Sequence, residues 1–554
     1  MADEMGKDIV QPVVSVLEKR ESLVAQHRLK DPHDAIASLW AERGRLRASG
    51  GENFRDGFFG RDTIEVAEDL LEVKPRVAED VIPILASYQG VAYKPTGIAE
   101  LDLPIKQMYD ARGEEPGKMF HEQRQLYING KRIGESSERI LRELAMKWGG
   151  TSEHVIYYGS LDATPLYARL IGEYYEHVAN GKEILGIQYT PKDRGKHEEP
   201  ATIKEGYLAA ISWIEANLAK SDFGFLEFKP NTPNDIENQV WMDSKTSYVH
   251  EMNGVAVNAN HEAPIAPIEV QAYAYDALLY ASRIFAESRP KDAKRWGELA
   301  SKLAKKTIAQ FWMEDEQYFA MGLDREPETR KSRQIKTLSA NGALILDSDM
   351  LDTLEPSEKQ KCITGIVNMI FSDEFLTEVG VRSRGKRYAK LLKLTKGGEY
   401  LSDYHGSEVS WIKETFDISR GLRRQGLHGL AREFELRIIK AVETAGEYYE
   451  FFYVDLDGNV NYHPKDTGLP FANGRKVLFG TNLPDEDQAW TISAVIASRY
   501  NVDHKPVEAM EGSWEAQLED KILSSIKAQG ALTHVSDDVI PFVIERRLEP
   551  PVAA

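Results

Sequence analysis

The chain has 554 residues, 42% of them hydrophobic, with 24 Tyr, 19 Phe and 9 Trp, enough apolar material for a large buried core. Its 69 Lys and Arg against 88 Asp and Glu give a formal net charge of -19, which sets repulsion against a nucleic-acid backbone. Cys362 is the only cysteine, which excludes an internal disulfide and argues against thiolate metal clusters, and no apolar run approaches membrane-spanning length or follows a basic N-terminal stretch, so a cytoplasmic protein without nucleic-acid or membrane partners is expected.

In chain order, Phe58-Phe59-Gly60-Arg61-Asp62-Thr63 opens the first predicted helix, Asp62 to Val73. Asp62 or Thr63 is placed to cap it, while Arg61 beside Asp62 makes a guanidinium–carboxylate pair suited to gripping vicinal hydroxyls, with two Phe residues ahead as an apolar platform. A second helix is predicted over Val77 to Tyr88. Pro116 to Arg124 then combines a tight turn with His121, Glu122 and Arg124; the carboxylates are not at ligand spacing, so the lone His reads as a hydrogen-bonding group and no metal is expected. In Tyr157 to Pro165, Asp162 stands before a Pro-initiated helix, Thr164 to Val178, either as its cap beside core tyrosines or as a functional carboxylate.

Lys192 to Pro200 reads as a surface excursion, and Ile203 to Leu218 as a helix whose stretch from Leu208 to Ile214 is apolar around most of its circumference. Residues 238–244 read Asn-Gln-Val-Trp-Met-Asp-Ser. Trp241 two residues before Asp243 sets an aromatic plane beside a carboxyl, which suits a sugar ring stacked on the indole and a partly desolvated acid that keeps its proton; the alternative is an N-capping Asp beside a core Trp. The dense run Pro267 to Asp276 leads into a helix from Val270 to Glu287, apolar all round at Ala274 to Ala281. Asp292 to Met313 has one apolar face (Trp296, Leu299, Leu303, Ile308, Phe311) and one charged face (Lys294, Glu298, Lys302, Lys306). Met321 to Arg333 reads as a second surface excursion. Helices over Glu358 to Phe371 and Leu427 to Val442 follow, then strands Tyr448 to Asp455 and Gly458 to His463 joined through Asp457-Gly458. The Asp455 to Asn459 run lacks the spacing and closing Glu of a calcium loop.

Helices that are apolar all round, alternating with amphipathic ones, suit a closed two-layer ring of helical hairpins whose inner-helix ends and loops line a cavity. A solenoid is the rival, but no motif recurs at a fixed period. No linker interrupts residues 1–500, and residues 501–554 lose the aromatic loops and read as a C-terminal appendage packed on that domain.

The ordered motifs Phe59-Gly-Arg-Asp-Thr63, Pro116-Gly-Lys-x-x-His-Glu-x-Arg124, Tyr157-Tyr-Gly-Ser-x-Asp-Ala-Thr-Pro-Leu166, Asn238-Gln-x-Trp-x-Asp-Ser244, Glu269-Val-Gln-x-Tyr273 and Gln488-Ala-Trp490 resemble the amylo-alpha-1,6-glucosidase family, the catalytic module of glycogen-debranching enzymes, from about Gly57 to Ser493. The resemblance implies an all-α (α/α)6 barrel, a six-hairpin toroid with short β-hairpins in the loops. It also implies inverting glycoside hydrolysis of an α-glucoside without cofactor, a mechanism shared with the related mannosylglycerate hydrolases and processing α-glucosidases. Carried over to this sequence, the general acid falls on Asp243. The general base falls on Glu450 in Tyr449-Glu-Phe-Phe452, where the family usually has Pro in place of Tyr449. Inversion needs the two carboxyls roughly 6.5–9.5 Å apart, with room for a water.

Glu447 and Glu408 compete for the base. Glu408 lies in Tyr404-His-Gly-Ser-Glu-Val-Ser-Trp411, which resembles the family's Tyr-His-Asn-Gly-x-x-Trp loop without its Asn. Arg61, Asp62, His121, Glu122, Arg124, Asp162 and Gln271 are implied as sugar-hydroxyl binders or their support. Phe59, Tyr158, Trp241, Tyr404, His405, Trp411, Gln488 and Trp490 are implied as the lining, with Glu269 a structural partner for Arg124. Debranching enzymes usually carry a β-rich N-terminal domain, whereas here the Gly-Arg-Asp motif arrives near residue 60, so a short glycoside such as mannosylglycerate, glucosylglycerate or a disaccharide is the alternative substrate. A glycoside phosphorylase and a non-catalytic sugar-binding barrel are the alternatives from other classes.

Overall fold

The computed structural model describes residues 29–93, 97, 99–192, 199–389, 404–462 and 483–531. It divides into two compact units, residues 38–369 and residues 1–37 with 370–554.

In the 38–369 unit, helices Gly60–Asp69, Arg76–Ser87, Ala163–His177, Ile203–Lys220, Ile268–Ile284 and Pro290–Phe311 start and stop within a few residues of the predicted segments. Ala163–His177 is the hub, packed on Gly60–Asp69, Ile203–Lys220 and Ile268–Ile284, while Pro290–Phe311 packs on Ile268–Ile284. Gly172 sets the central spacing: a Cβ there would meet the Tyr280 ring at 2.4 Å. Ile268–Ile284 is buried almost all round, as expected, but Ile203–Lys220 is not, because Ser212 within the predicted apolar stretch is exposed.

The helix buried all round that the sequence conceals is Gly60–Asp69, charged at four of its positions between Arg61 and Glu68 and yet buried from Gly60 to Glu68. Buried charge is tolerated where it is paired. Glu68 shares Arg169 of the neighbouring helix, whose Nε lies 3.7 Å from Glu68, 3.2 Å from Glu173 and 4.0 Å from Asp276, with Asp347 at its Nη2.

Strands are more numerous than expected, and several feed directly into a helix: Phe58–Phe59 into Gly60–Asp69, Ala201–Thr202 into Ile203–Lys220, and Ala266–Pro267 into Ile268–Ile284. Phe58–Phe59 pairs antiparallel with Glu122–Gln125, and that strand with His154–Tyr157, so Phe59, Glu122 and Tyr157 stand in one row. Met321 to Arg333 is not a surface excursion throughout: Gly322–Arg325 is a buried strand between Ala266–Pro267 and Ser332–Ile335, and exposure is confined to residues 326–332. The charge that suggested exposure, Asp324, is consumed internally by Arg333, His250 and the Asn260 amide. Of Lys192 to Pro200, residues 193–198 lie outside the described residues.

In the other unit, helices Ile412–Arg424, His428–Ala445 and Ala489–His504 pack on one another, and Trp514–Ala528 packs on His428–Ala445. Val409–Trp411 feeds Ile412–Arg424 and pairs with Phe451–Val454, which pairs with Val460–Asn461 in the predicted hairpin. Asp455 closes that hairpin: Oδ1 accepts the Asp457 and Asn459 amides, each at 2.9 Å, and Oδ2 accepts Asn459 Nδ2, so its oxygens serve the turn. Glu519 of Trp514–Ala528 receives the amides of Gly429 and Leu430 at the start of His428–Ala445, a cap supplied from another helix. Residues near the N-terminus complete this unit, with Lys30 Nζ on Asp487 at 2.6 Å and the Tyr448 hydroxyl donating to the Lys30 carbonyl at 2.7 Å.

Candidate active site

The first cluster grows from the junction of strand Phe58–Phe59 with its helix. The Gly60 amide donates to the His121 carbonyl at 3.0 Å, and a Cβ on Gly60 would lie 2.2 Å from the Phe120 carbonyl oxygen, so only glycine lets the strand turn here. The helix N-cap is Phe59, which leaves Asp62 and Thr63 inside the first turn rather than capping it. Arg61, the second helical residue, bonds Asp162 through Nη1 at 3.0 Å, approaches Asp62 at 4.0 Å, and lies 5.8 Å from the centre of the Trp241 ring. Asp162 makes no side-chain cap to Ala163–His177; Ser160, which also donates to Asp162, receives the Ala163 amide instead. The Leu161 amide donates to the Gln239 carbonyl at 2.7 Å, tying this loop to residues 238–244.

Asp243 belongs to that second loop. No helix follows it; the chain turns and enters strand Val249–Met252, so the capping alternative falls. Burial pushes the Asp243 carboxyl up to about 6, Arg61 opposes this, and Asp162 and Asp62 add to it. His121 is driven the other way, down to about 3, chiefly by burial and then by Arg61, so its imidazole is neutral over the working range. Burial alone would lower Arg61, but Asp162, Asp62, Glu65 and Asp243 outweigh it and hold the guanidinium firmly charged. Among the described residues, the Asp243 carboxyl and the His121 ring nitrogens have no hydrogen bond to another residue, which leaves both for a ligand.

Other suggested binders are spent inside the protein. Glu122 pairs with Arg124, which also donates to the Asn53 carbonyl at 2.8 Å and lies 5.9 Å from the Phe59 ring centre. Arg124 therefore takes Glu122 as its carboxylate and not Glu269, which sits against the Tyr248 hydroxyl. Tyr158 donates to the Tyr88 carbonyl, and the Gln271 carboxamide is filled by the backbone of Leu226 and Pro267. Gln271 thus pins the loop before Phe228 to its helix.

The second cluster lies on the Val409–Trp411 sheet. Phe451 pairs with Trp411, and Glu450 stands just ahead, buried, its amide donating to the Asp485 carbonyl at 2.9 Å. Its carboxylate accepts at both oxygens, Oε1 from the Tyr404 hydroxyl and Oε2 from the Asp485 amide at 3.1 Å. Tyr404, His405, Phe451 and Trp490 surround Trp411 with ring centres 4.9 to 5.9 Å from it. Gln488 is buried at the N-cap of Ala489–His504, its amide donating to the Tyr448 carbonyl. Of the competing carboxyls, Glu447 accepts the amides of Tyr448 and Asp487 and ties the turn together, and burial raises it above the usual range. Glu408 lies with Asp455 in the field of Arg382, whose guanidinium is lowered to about 10 by burial and donates to the carbonyls of Ser407 and Asp455. Sequence reading missed Asp485 and Ser160; the latter had a signal, a Ser two residues before the Asp in Gly159-Ser-Leu-Asp162. Among the described residues, no His, Cys, Asp and Glu are grouped to hold a metal ion, and no helix is long and apolar enough to cross a membrane.

Residues 150–405 match the family described as Amylo-alpha-1,6-glucosidase. No curated protein matches the chain. Among solved structures, the chain is similar to the GH63 mannosylglycerate hydrolase of Thermus thermophilus in complex with Tris and D-glycerate (TM-score 0.52, 11% identity) and with Tris alone (TM-score 0.50, 12% identity). Each match covers 84% of this chain and 98% of the other. The chain is therefore similar in sequence to the Amylo-alpha-1,6-glucosidase family over residues 150–405, and similar in fold to the GH63 mannosylglycerate hydrolase over most of its length.

Proposed function

We propose that this protein is an inverting glycoside hydrolase that cleaves α-glucosidic bonds, acting like an amylo-alpha-1,6-glucosidase on α-1,6 branches or short α-gluco-oligosaccharides, with Asp243 as general acid and Glu450 as general base. The observation that carries the reading is the carboxyl of Asp243, raised to about 6 by burial in spite of Arg61 and bonded to no other residue. An acid poised there donates its proton to the glycosidic oxygen as the C–O bond breaks. Glu450 is the counterpart: a buried carboxyl that receives two donors and offers none is arranged to take a proton from the attacking water. Glu447 and Glu408 are set aside because the first ties a turn and the second lies in the field of Arg382. The reading takes residues 1–500 as an (α/α)6 barrel with residues 501–554 as an appendage, and it requires the two carboxyls to face each other at roughly 6.5–9.5 Å.

Hydrolysis of a small glycoside is the second reading, favoured by the likeness to mannosylglycerate hydrolase. A neutral aglycone suits the Asp243 cluster better than glycerate, because one arginine there faces Asp62, Asp162 and Asp243. The test is to incubate the protein with isomaltose, panose, a branched limit dextrin, trehalose, mannosylglycerate and glucosylglycerate, and to follow the released sugar by proton NMR. Glucose released from α-1,6 linkages as the β-anomer first is expected. A retained anomer overturns the mechanism, release only with inorganic phosphate moves the reading to a phosphorylase, and no release from any substrate moves it to a sugar-binding protein.

A further inference from the structure

The loop carrying Asp243 contains no regular element, yet it must hold a carboxyl in one direction. Asn238, fully buried at its start, donates through Nδ2 to the Ser244 carbonyl at 2.7 Å and so closes the loop on the residue after Asp243. That donation fixes which end of the carboxamide faces which way, leaving Oδ1 as an acceptor. His261 meets it: Nε2 lies 2.8 Å from Asn238 Oδ1, and Nδ1 lies 2.9 Å from the Ala259 carbonyl oxygen. The turn bearing His261 is anchored in its own right, since the Asn260 amide donates to Asp324 and Asn260 Nδ2 to the Arg325 carbonyl on the buried strand Gly322–Arg325.

We infer that His261 is a positioning residue for Asp243, acting through Asn238 to transmit the rigidity of that strand to the acid-bearing loop. This rests on the reading of Asp243 as general acid. Asn238 Oδ1 can only accept, so the tautomer with its proton on Nε2 makes this tie. Glu237 Oε1 lies 4.0 Å from Nδ1. The other charged groups at this turn are occupied or turned to other partners: Asp324 by Arg333 and His250, and Lys229 by the Glu262 carbonyl.

The experiment is hydrogen exchange of full-length protein, read in peptides covering residues 238–248, with kinetics on isomaltose alongside. His261→Leu and Asn238→Ala are each expected to speed exchange there about tenfold, the scale of one lost hydrogen bond, with no further gain in the double variant. His261→Gln, which keeps a donor for Asn238, restores most of the protection. Since misplacing a catalytic group by about 1 Å can cost about 100-fold, His261→Leu is expected to lower kcat roughly 10- to 100-fold with KM little changed. Unchanged exchange in His261→Leu, or a Gln variant as loose as the Leu variant, overturns the proposal. Full activity of Asp243→Asn would instead remove the acid assignment and leave the exchange result standing.

Discussion

Asp243 and Glu450 are two carboxyls treated in opposite ways by their surroundings. Asp243 lies in an irregular loop, in the field of an arginine already engaged by Asp162, with no hydrogen bond from another residue to its carboxyl. Glu450 lies at the lip of a three-stranded sheet, packed among aromatic rings, with a donor on each oxygen. Asp243, buried without donors, is raised, whereas Glu450 is satisfied at both oxygens. Under the proposed roles, donors are withheld from the acid and supplied to the base.

The sharpest way to break the contrast is to remove either carboxyl. Asp243→Asn and Glu450→Gln are each expected to lower kcat on an α-glucoside by roughly 10²- to 10⁴-fold with the circular dichroism spectrum unchanged, the range general acid–base groups supply. Arg61→Met attacks the setting of the acid. By leaving Asp162 buried without its cation, it is expected to cost about 3–5 kcal/mol of stability in urea unfolding. Tyr404→Phe removes one donor from Glu450 and is expected to cost about 1.5–3 kcal/mol in kcat/KM, the worth of a hydrogen bond to a charged group.

The smallest effect is on stability, and its sign is opposite to that of most active-site truncations. The Asp243 carboxyl is raised in the folded state, so the fold binds its proton more tightly than the unfolded chain does, and stability falls as pH rises from about 4 through about 6. Asp243→Asn is therefore expected to raise stability by roughly 1–3 kcal/mol at pH 7.5 and by little at pH 4. With Asp243 as the proposed acid, the same ionisation is expected to make kcat on isomaltose fall about tenfold per pH unit above about 6 in a pH–rate profile.

Much of this was legible in the sequence because helices with one apolar face announce themselves: Pro290–Phe311 and His428–Ala445 lie close to where periodicity put them. The ordered motifs likewise marked Arg61, Asp162, Trp241 and Asp243, which the fold gathers into one cluster. Features that depend on a distant partner stayed hidden. Gly60–Asp69 reads as a charged helix and is buried because Arg169 and Asp162 neutralise it. Gly322–Arg325 reads as a polar loop because the groups that satisfy Asp324 are as far away as His250. Gln271 looked like a sugar binder, since a carboxamide that binds a hydroxyl and one that pins a backbone loop are the same residue in sequence. Short strands such as Phe58–Phe59 are too brief for alternation to show, and their register comes from Glu122–Gln125, more than sixty residues later.

The hydrogen bond from Tyr448 to the Lys30 carbonyl and the ion pair of Lys30 with Asp487 also bear on the order in which the molecule is made. Residues around Lys30 leave the ribosome well before the groups that receive them, which are synthesised more than four hundred residues later. For most of translation this segment has no seat, while residues 38–369 can collapse around their own helices. Closure of the 370–531 region on its N-terminal segment is thus a late event, and Glu519 delays it further, since the amides of Gly429 and Leu430 wait some ninety residues for their acceptor.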